Sequence, residues 1–253
     1  MNAPILLVAF GAMSAAARET YAGFERDARA AFPGREIRWA YTAASLVARL
    51  QRNGEAAHTL AEAYRALRAE GATAVVVQSL HLVPGEKHRE ILAEPAPGLR
   101  VAIGAPLLDS EADLQGVAED LLADLPADRP TLVVAHGHGR EARFNAELEA
   151  LKARLAAAPG SPFLTRLEGD GDPEGLARFI ARAQALGRVH LLPFLLVAGD
   201  HLASDILGDQ PDSFKSRLGV PGFSCAGPLG TRPWVHRRFL AKLGAALAQM
   251  EQP

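Results

Sequence analysis

The fold is indicated by one stretch of the chain, Thr131-Leu132-Val133-Val134-Ala135-His136-Gly137-His138-Gly139. Its apolar part is continuous rather than alternating, which is typical of a parallel strand buried on both faces. The glycines that follow permit a tight turn with positive φ at the end of the strand. A similar segment, Leu6-Leu7-Val8-Ala9-Phe10-Gly11, opens the chain. Two strands with related ends indicate an internal repeat.

Short apolar runs alternate with longer amphipathic stretches along the whole chain. The predicted strands are 5–10, 36–41, 73–80, 100–103, 131–136, 163–167, 189–197 and 220–225, and the predicted helices are 14–31, 55–70, 87–94, 110–124, 141–157, 173–186 and 233–249. Strands that alternate with helices predict an α/β fold with mostly parallel sheets. We therefore expect two similar Rossmann-like halves, each a mostly parallel sheet flanked by helices.

The boundary between the halves is predicted from prolines and from a second repeated segment. Leu82-Val83-Pro84-Gly85-Glu86 resembles Leu196-Val197-Ala198-Gly199-Asp200, again at a strand end in each half. Pro126 and Pro130 interrupt the helix pattern between the halves. We expect an N-terminal domain over 1–126 and a C-terminal domain over 127–253, with the last helix a candidate to pack back on the N-terminal domain.

Composition excludes several classes of protein. The 253 residues are 49% hydrophobic and 22% charged, with a net charge of −2, so the chain is neither disordered nor strongly attracted to nucleic acid. No apolar run reaches the length of a membrane span, and the first residues lack the pattern of a secretion signal. We expect a soluble cytoplasmic protein with no nucleic-acid or membrane partner. The single cysteine, Cys225, excludes a metal site built from several thiolates.

Polar residues that suit a metal follow three strands of the second half. His138 follows the strand that ends near His136, Glu168 follows the next, and Asp200-His201 follow the strand 189–197. Ligands of open parallel sheets bind beyond the carboxyl ends of the strands, so these side chains are expected at one edge. Two imidazoles and a carboxylate suit a divalent Co, Ni, Fe or Zn ion. We also expect Gly199, like Gly137 and Gly139, to provide a turn with positive φ.

Three questions remain open on the residues alone. His136 either lines the pocket or points into the sheet, and His81, at the corresponding loop of the first half, either faces the ligand or is structural. Gly137-His138-Gly139-Arg140-Glu141-Ala142 also fits the dinucleotide pattern G-x-G-x-x-G/A, which would indicate an NAD-type cofactor. That reading leaves Asp200 and His201 without a role. No phosphate-binding G-x-x-x-x-G-K-[ST] segment is present, so no ATP requirement is expected.

The sequence resembles the anaerobic sirohydrochlorin cobaltochelatases, the ATP-independent class II chelatases of vitamin B12 synthesis. The matching segments are 6–11, 78–81, 137–139, 167–169, 192–201, 204–209 and 212–215. The resemblance implies two chelatase-like domains with the tetrapyrrole in a cleft between them. It also implies a chain that inserts Co²⁺ into sirohydrochlorin without ATP or NAD.

The family's metal ligands correspond to His138, Glu168 and His201, with His138 and Glu168 as the catalytic residues. A shift of two residues would give His136 the ligand role instead of His138. Expected substrate contacts are Phe10, His81 and His136, and a homo-oligomer is a further candidate. The alternatives are insertion of Fe²⁺ for sirohaem, a non-catalytic tetrapyrrole or metal carrier, and a dinucleotide enzyme.

Overall fold

The first sheet is formed by the continuously apolar runs of the first half, in a computed structural model that describes residues 2–158, 160, 162–169 and 171–252. Its strands are β1 (Ile5–Ala9), β2 (Ile37–Tyr41), β3 (Ala74–Ser79) and β4 (Arg100–Gly104), and the intervening helices are α1 (Ala15–Ala31), α2 (Ala44–Arg52), α3 (Leu60–Ala69) and α4 (Glu86–Ala93). The strands pair in parallel in the order β2-β1-β3-β4.

The second sheet repeats this arrangement. Its elements are α5 (Glu111–Asp124), β5 (Thr131–Gly137), α6 (Ala146–Ala157), β6 (Phe163–Glu168), α7 (Pro173–Leu186), β7 (Arg188–Phe194), α8 (Phe214–Leu218) and β8 (Gly222–Cys225). These strands are also parallel, in the order β6-β5-β7-β8. The order matches that of the first sheet strand for strand. The prediction of an α/β fold with two similar parallel-sheet halves is therefore confirmed.

The central strand β5 is buried along its apolar part. Residues 131–135 are at most 2% exposed, and Leu132 and Val134 pack in one core with Leu176, Phe179 and Ala183. Burial of each large side chain stabilises the fold by about 1.5–3 kcal/mol. Because the strand is held by core packing up to Ala135, the polar residues that follow it begin from a well-determined position.

The chain folds as two compact units, one up to Leu107 together with the residues from Arg232 on, the other Leu108–Thr231. The last helix, α9 (Pro233–Glu251), packs against β3, β4 and α1 in the first unit. The boundary between the units lies before α5, whereas the sequence predicted it after α5, at residue 126. Helix α5 belongs to the second unit because it packs against α6. None of the helices in the described ranges is long and apolar enough to span a membrane.

Some local elements differ from the sequence-based prediction. The expected helix 55–70 begins only at Leu60, because Thr59 and Glu62 form a reciprocal capping box. Helix α2 was not predicted; it has no side-chain cap, and it buries Val47 and Leu50 in a small apolar cluster. Strand β7 ends at Phe194 rather than at residue 197, so the chain leaves the sheet earlier on its way to His201.

Candidate metal and substrate site

Four predicted site residues lie at the carboxyl edge of the second sheet. β5 ends at Gly137, β6 ends at Glu168, and these two residues are partners in the parallel register. His136 and His138 flank Gly137 at that end. His201 follows β7 and immediately precedes a single turn of π-helix, Leu202–Ile206. The topology thus delivers imidazoles and a carboxylate to one edge, as the strand ends predict.

The turn after β5 requires glycine at one position. Gly137 has φ +77°, and a Cβ there would lie 2.3 Å from the carbonyl oxygen of Glu168. Gly139 and Gly199 are absent from the left-handed region, so the expectation of positive φ is wrong for both. The turn is therefore set by Gly137 alone, because only there does the backbone of β6 approach so closely.

The imidazoles of His136 and His201 face each other. Their Nε2 atoms are 3.0 Å apart, and the rings meet edge to face with centroids 4.6 Å apart. The Nδ1–H of His136 donates to the Gly137 carbonyl at 2.8 Å, and the Nδ1–H of His201 donates to Asp205 at 2.6 Å. Carbonyl and carboxylate oxygens only accept, so both Nδ1 atoms carry the proton. In the neutral rings, both Nε2 lone pairs point at the same small volume.

His138 is held in a different way. Its Nδ1 accepts hydrogen bonds from the backbone N–H groups of Arg140 and Glu141, at 3.3 and 3.0 Å. Its ring lies against Phe144, with centroids 4.9 Å apart. The buried Asn145 side chain accepts from the His138 N–H and donates to its carbonyl. A neutral His138 in this state carries its proton on Nε2, so it presents a donor rather than a lone pair there.

The expected ligand set of His138, Glu168 and His201 is not assembled as one cluster. Within the parts of the chain that the structure describes, no three His, Cys, Asp or Glu side chains are grouped to hold a metal ion. Glu168 is exposed, and its Oε2 lies 3.4 Å from the position of a Cβ built on Gly139. The carboxylate therefore lies beside the turn that carries His138, while His201 is paired with His136.

An open cavity of about 310 Å³ lies beside His138. It is lined by His138, Gly139, Arg140, Ala142, Asn145, Glu149, Arg166 and Gly169. Arg166 is almost fully buried and forms an ion pair with Glu149, and Arg140 is exposed to solvent. With two guanidinium groups against one carboxylate in its wall, the cavity suits an anionic group.

The substrate residues expected in the first unit also lie at a carboxyl strand edge. Phe10 follows β1 and is 53% exposed, although every residue of β1 is buried. His81 follows β3; its Nδ1 lies 3.1 Å from the Ser79 hydroxyl, and its Nε2 lies 3.4 Å from the Thr42 hydroxyl. Burial, with a smaller contribution from the neighbouring His88, lowers the pKa of His81 to about 3. His81 is therefore a neutral ring at physiological pH.

Two functional candidates were missed in the sequence. Asp205 could have been found, because it lies four residues after His201 and so shares its face of a helical turn. Asn145 carries no local signal, since its partners are the backbone atoms of His138, seven residues earlier.

The dinucleotide alternative is disfavoured by the local geometry. In that motif, backbone N–H groups at the start of a helix bind the pyrophosphate. Here the N–H groups of residues 140 and 141 donate to His138 instead, and a 3₁₀ turn, Ala142–Asn145, precedes α6. The backbone N–H groups that would bind a pyrophosphate are thus hydrogen-bonded to a histidine of the same segment.

Comparisons with known proteins identify the family to which this chain belongs. Residues 3–247 match the family model of the cobalt chelatase CbiK. The sirohydrochlorin cobaltochelatase CbiKC of Nitratidesulfovibrio vulgaris strain Hildenborough is 32% identical over 229 residues, which cover 87% of this chain and 81% of that protein. The sirohydrochlorin cobaltochelatase of Salmonella typhimurium is 30% identical over 257 residues, covering 98% and 97% of the two chains.

A solved structure shares the fold. SirB from Bacillus subtilis, determined with Fe³⁺, superposes with a TM-score of 0.65 and 17% identity over 99% of this chain and 98% of that one. The family model covers nearly the whole of the present sequence, including both sheets and every site residue discussed above. The chain therefore belongs to the CbiK cobalt chelatase family.

Proposed function

We propose that this chain inserts Co²⁺ into sirohydrochlorin without consuming ATP. The observation that carries the proposal is the set of imidazoles and a carboxylate at one edge of the second sheet, within a chain of the cobalt chelatase family. Two relatives named sirohydrochlorin cobaltochelatase support this substrate and this metal.

The reaction replaces two pyrrole N–H protons by one divalent ion, so two protons leave for each metal inserted. The site must offer a metal held loosely enough to be transferred and an acceptor for those protons. Imidazole and carboxylate ligands bind first-row divalent ions reversibly, unlike a closed thiolate site. We assign His201 as a metal ligand and Glu168 as a proton acceptor, since its carboxylate is exposed and can pass protons to water.

The role of His138 as metal ligand and base stays a prediction. A metal or an incoming proton would have to bind at Nε2, because Nδ1 is occupied by two backbone N–H groups. Binding at Nε2 requires the tautomer with a proton on Nδ1, which would lose both hydrogen bonds. Each such bond contributes about 0.5–1.5 kcal/mol. Substitution of His138 therefore tests its role as ligand and base directly.

The cavity beside His138 is proposed to bind one of the carboxylates of the tetrapyrrole. Arg140 carries the accessible guanidinium group in the cavity wall. A charge-assisted hydrogen bond from this group to a carboxylate is stronger than a hydrogen bond between neutral groups. Arg140→Ala should raise the KM for sirohydrochlorin with a smaller effect on kcat. Arg143→Ala is the matched control, because Arg143 is exposed on the same loop, pairs with Glu141 and does not line the cavity. Equal KM values for the two variants would contradict the assignment.

The decisive experiment mixes the purified chain with sirohydrochlorin and Co²⁺ in the absence of ATP and follows the absorption spectrum. Insertion should exceed the uncatalysed rate, and it should fall by roughly 10²-fold or more in His201→Ala. His190→Ala is the control, because His190 lies at the opposite end of β7 and hydrogen-bonds Ser224. A rate equal to the uncatalysed one would reject the chelatase and favour a carrier. Parallel reactions with Fe²⁺ test the sirohaem alternative.

The other expectations stay predictions. They are a cytoplasmic location, the absence of nucleic-acid and membrane partners, a homo-oligomeric state, a tetrapyrrole held in a cleft between the halves, and substrate contacts by Phe10, His81 and His136.

A further inference from the structure

Asn145 is a buried polar residue whose side chain binds the main chain of His138. It is 3% exposed and is the last residue of the 3₁₀ turn that precedes α6. Its Oδ1 accepts a hydrogen bond from the His138 N–H at 2.8 Å, and its Nδ2–H donates to the His138 carbonyl at 3.1 Å. One amide thus satisfies both backbone polar groups of one residue, as the opposite residue does in a hydrogen-bonded pair of antiparallel strands.

The helix that follows does not use this side chain. An asparagine at the N-cap of a helix ordinarily accepts a hydrogen bond from the backbone N–H two or three residues further on. Asn145 occupies the N-cap of α6, but its side chain makes no such bond. The amide is directed to His138 instead, so it stabilises the turn after β5 rather than the start of α6.

The same amide lies where the turns after β5 and β6 meet. A Cβ built on Gly169 would lie 2.6 Å from the His138 carbonyl oxygen and 3.1 Å from the Nδ2 of Asn145. Gly169 directly follows Glu168, so the main chain that carries this carboxylate packs against the carbonyl that Asn145 binds. The hydrogen bonds of Asn145 therefore fix the turn of His138 against the turn of Glu168.

The hydrogen bonds from Asn145 do not involve the imidazole ring. The ring is held separately, by the N–H groups of Arg140 and Glu141 at Nδ1. If the ring gives up those two bonds to take a proton or a metal at Nε2, the bonds from Asn145 to the main chain persist. The Cα of His138 then stays in place while its ring changes tautomer.

We propose that Asn145 is a positioning residue for metal insertion, which holds the turn of His138 against the turn of Glu168 while the ring of His138 changes its partners. The inference rests on the proposed function, since it assigns both residues to the insertion reaction. Both polar atoms of the Asn145 side chain are engaged by His138, so Asn145 acts through that residue rather than on the metal.

The first test compares the kinetics of Co²⁺ insertion into sirohydrochlorin by the parent, Asn145→Ala and Asn145→Asp. Loss of a group that orients a ligand typically costs about 10–100-fold, so kcat should fall by about that factor in Asn145→Ala. The KM for sirohydrochlorin should stay within about twofold, as expected when the lost interaction matters in the transition state. Asn145→Asp keeps the shape, but its carboxylate cannot donate to the His138 carbonyl, so its kcat should fall as well.

Ser110→Ala is the control for a general loss of stability. Ser110 caps α5, and Glu111 at the start of that helix pairs with Arg154 in the last turn of α6. The cap therefore lies at the opposite end of α6 from Asn145. Ser110→Ala should keep the kcat of the parent. Circular dichroism checks that every variant is folded at the assay temperature.

Hydrogen exchange measured by NMR tests the hold on the turn without metal or tetrapyrrole. Exchange reports the local opening that exposes an amide to water. The His138 N–H should exchange at least about tenfold faster in Asn145→Ala than in the parent, a larger change than at the buried residues 132–135 of β5.

The inference is overturned if an active parent and Asn145→Ala have the same kcat, if the loss is confined to KM, or if Asn145→Asp keeps the kcat of the parent. It is also overturned if the His138 N–H exchanges no faster in Asn145→Ala. A parent that inserts no cobalt would reject the proposed function, whereas faster exchange in Asn145→Ala would still support the hold of Asn145 on the turn. The two failures are therefore distinguishable.

Discussion

Substitution of Gly137 by alanine should destabilise the second unit strongly, because of both backbone conformation and space. The residue has φ +77°, and a side chain in the left-handed region costs about 1–2 kcal/mol. A Cβ there would lie 2.3 Å from the Glu168 carbonyl oxygen and 3.0 Å from two carbons of the Arg166 side chain. Relief of such overlap, which involves backbone and a buried side chain, typically costs about 1–3 kcal/mol. Together these effects predict a loss of about 2–5 kcal/mol in the free energy of unfolding.

Thermal unfolding followed by circular dichroism measures this loss. For a unit of this size the Tm should fall by roughly 5–20 °C. Gly199→Ala is the matched control, since Gly199 has no positive φ and a Cβ there meets no atom within 4 Å. It should change stability by less than about 0.5 kcal/mol. If Gly137→Ala unfolds within about 2 °C of the parent, the close approach of β5 and β6 at the site is wrong.

Three further changes have defined outcomes. Asp205→Asn should weaken Co²⁺ binding about tenfold, which is the lower end of the usual range because the contact between Asp205 and His201 is half exposed. Asp209→Asn is the control and should leave the affinity unchanged, because Asp209 is an exposed carboxylate paired with a lysine. Equal affinities of the two variants would contradict the role of Asp205. Glu168→Gln should bind sirohydrochlorin almost as well as the parent, as fluorescence quenching would measure. It should insert metal roughly 10²-fold more slowly, as initial rates would measure. An unchanged rate per bound substrate would exclude proton transfer by Glu168. The pKa of His81 is lowered in the folded chain, so the unfolded chain binds the additional proton and stability falls as the pH drops from about 6.5 towards 3. His81→Gln should reduce the slope of the unfolding free energy against pH over that range by at most about 1.4 kcal/mol per pH unit, as urea unfolding would measure. An unchanged slope would contradict this prediction.

The fold could be predicted from local patterns because its main elements are marked locally. A strand buried on both faces must be apolar at every position, as 131–135 is, and a helix shows its cap and its periodicity within a few residues. The same logic placed Glu168 and the histidines at one edge, since parallel strands end together. The sequence did not predict helix α2, because this helix is stabilised by packing of Val47 and Leu50 rather than by a cap.

The hydrogen-bond partners of the site histidines could not be predicted from the sequence. The sequence determined which residue types reach the edge of the second sheet, and family resemblance favoured His138 over His136. Only the tertiary structure decided that His201 faces His136, which lies 65 residues away, while the ring of His138 turns to its own loop. The physical reason is that the direction of an imidazole is set by what its Nδ1 can reach. For His136, His138 and His201 these are a carbonyl, two amides and a carboxylate, which only the folded backbone brings into position.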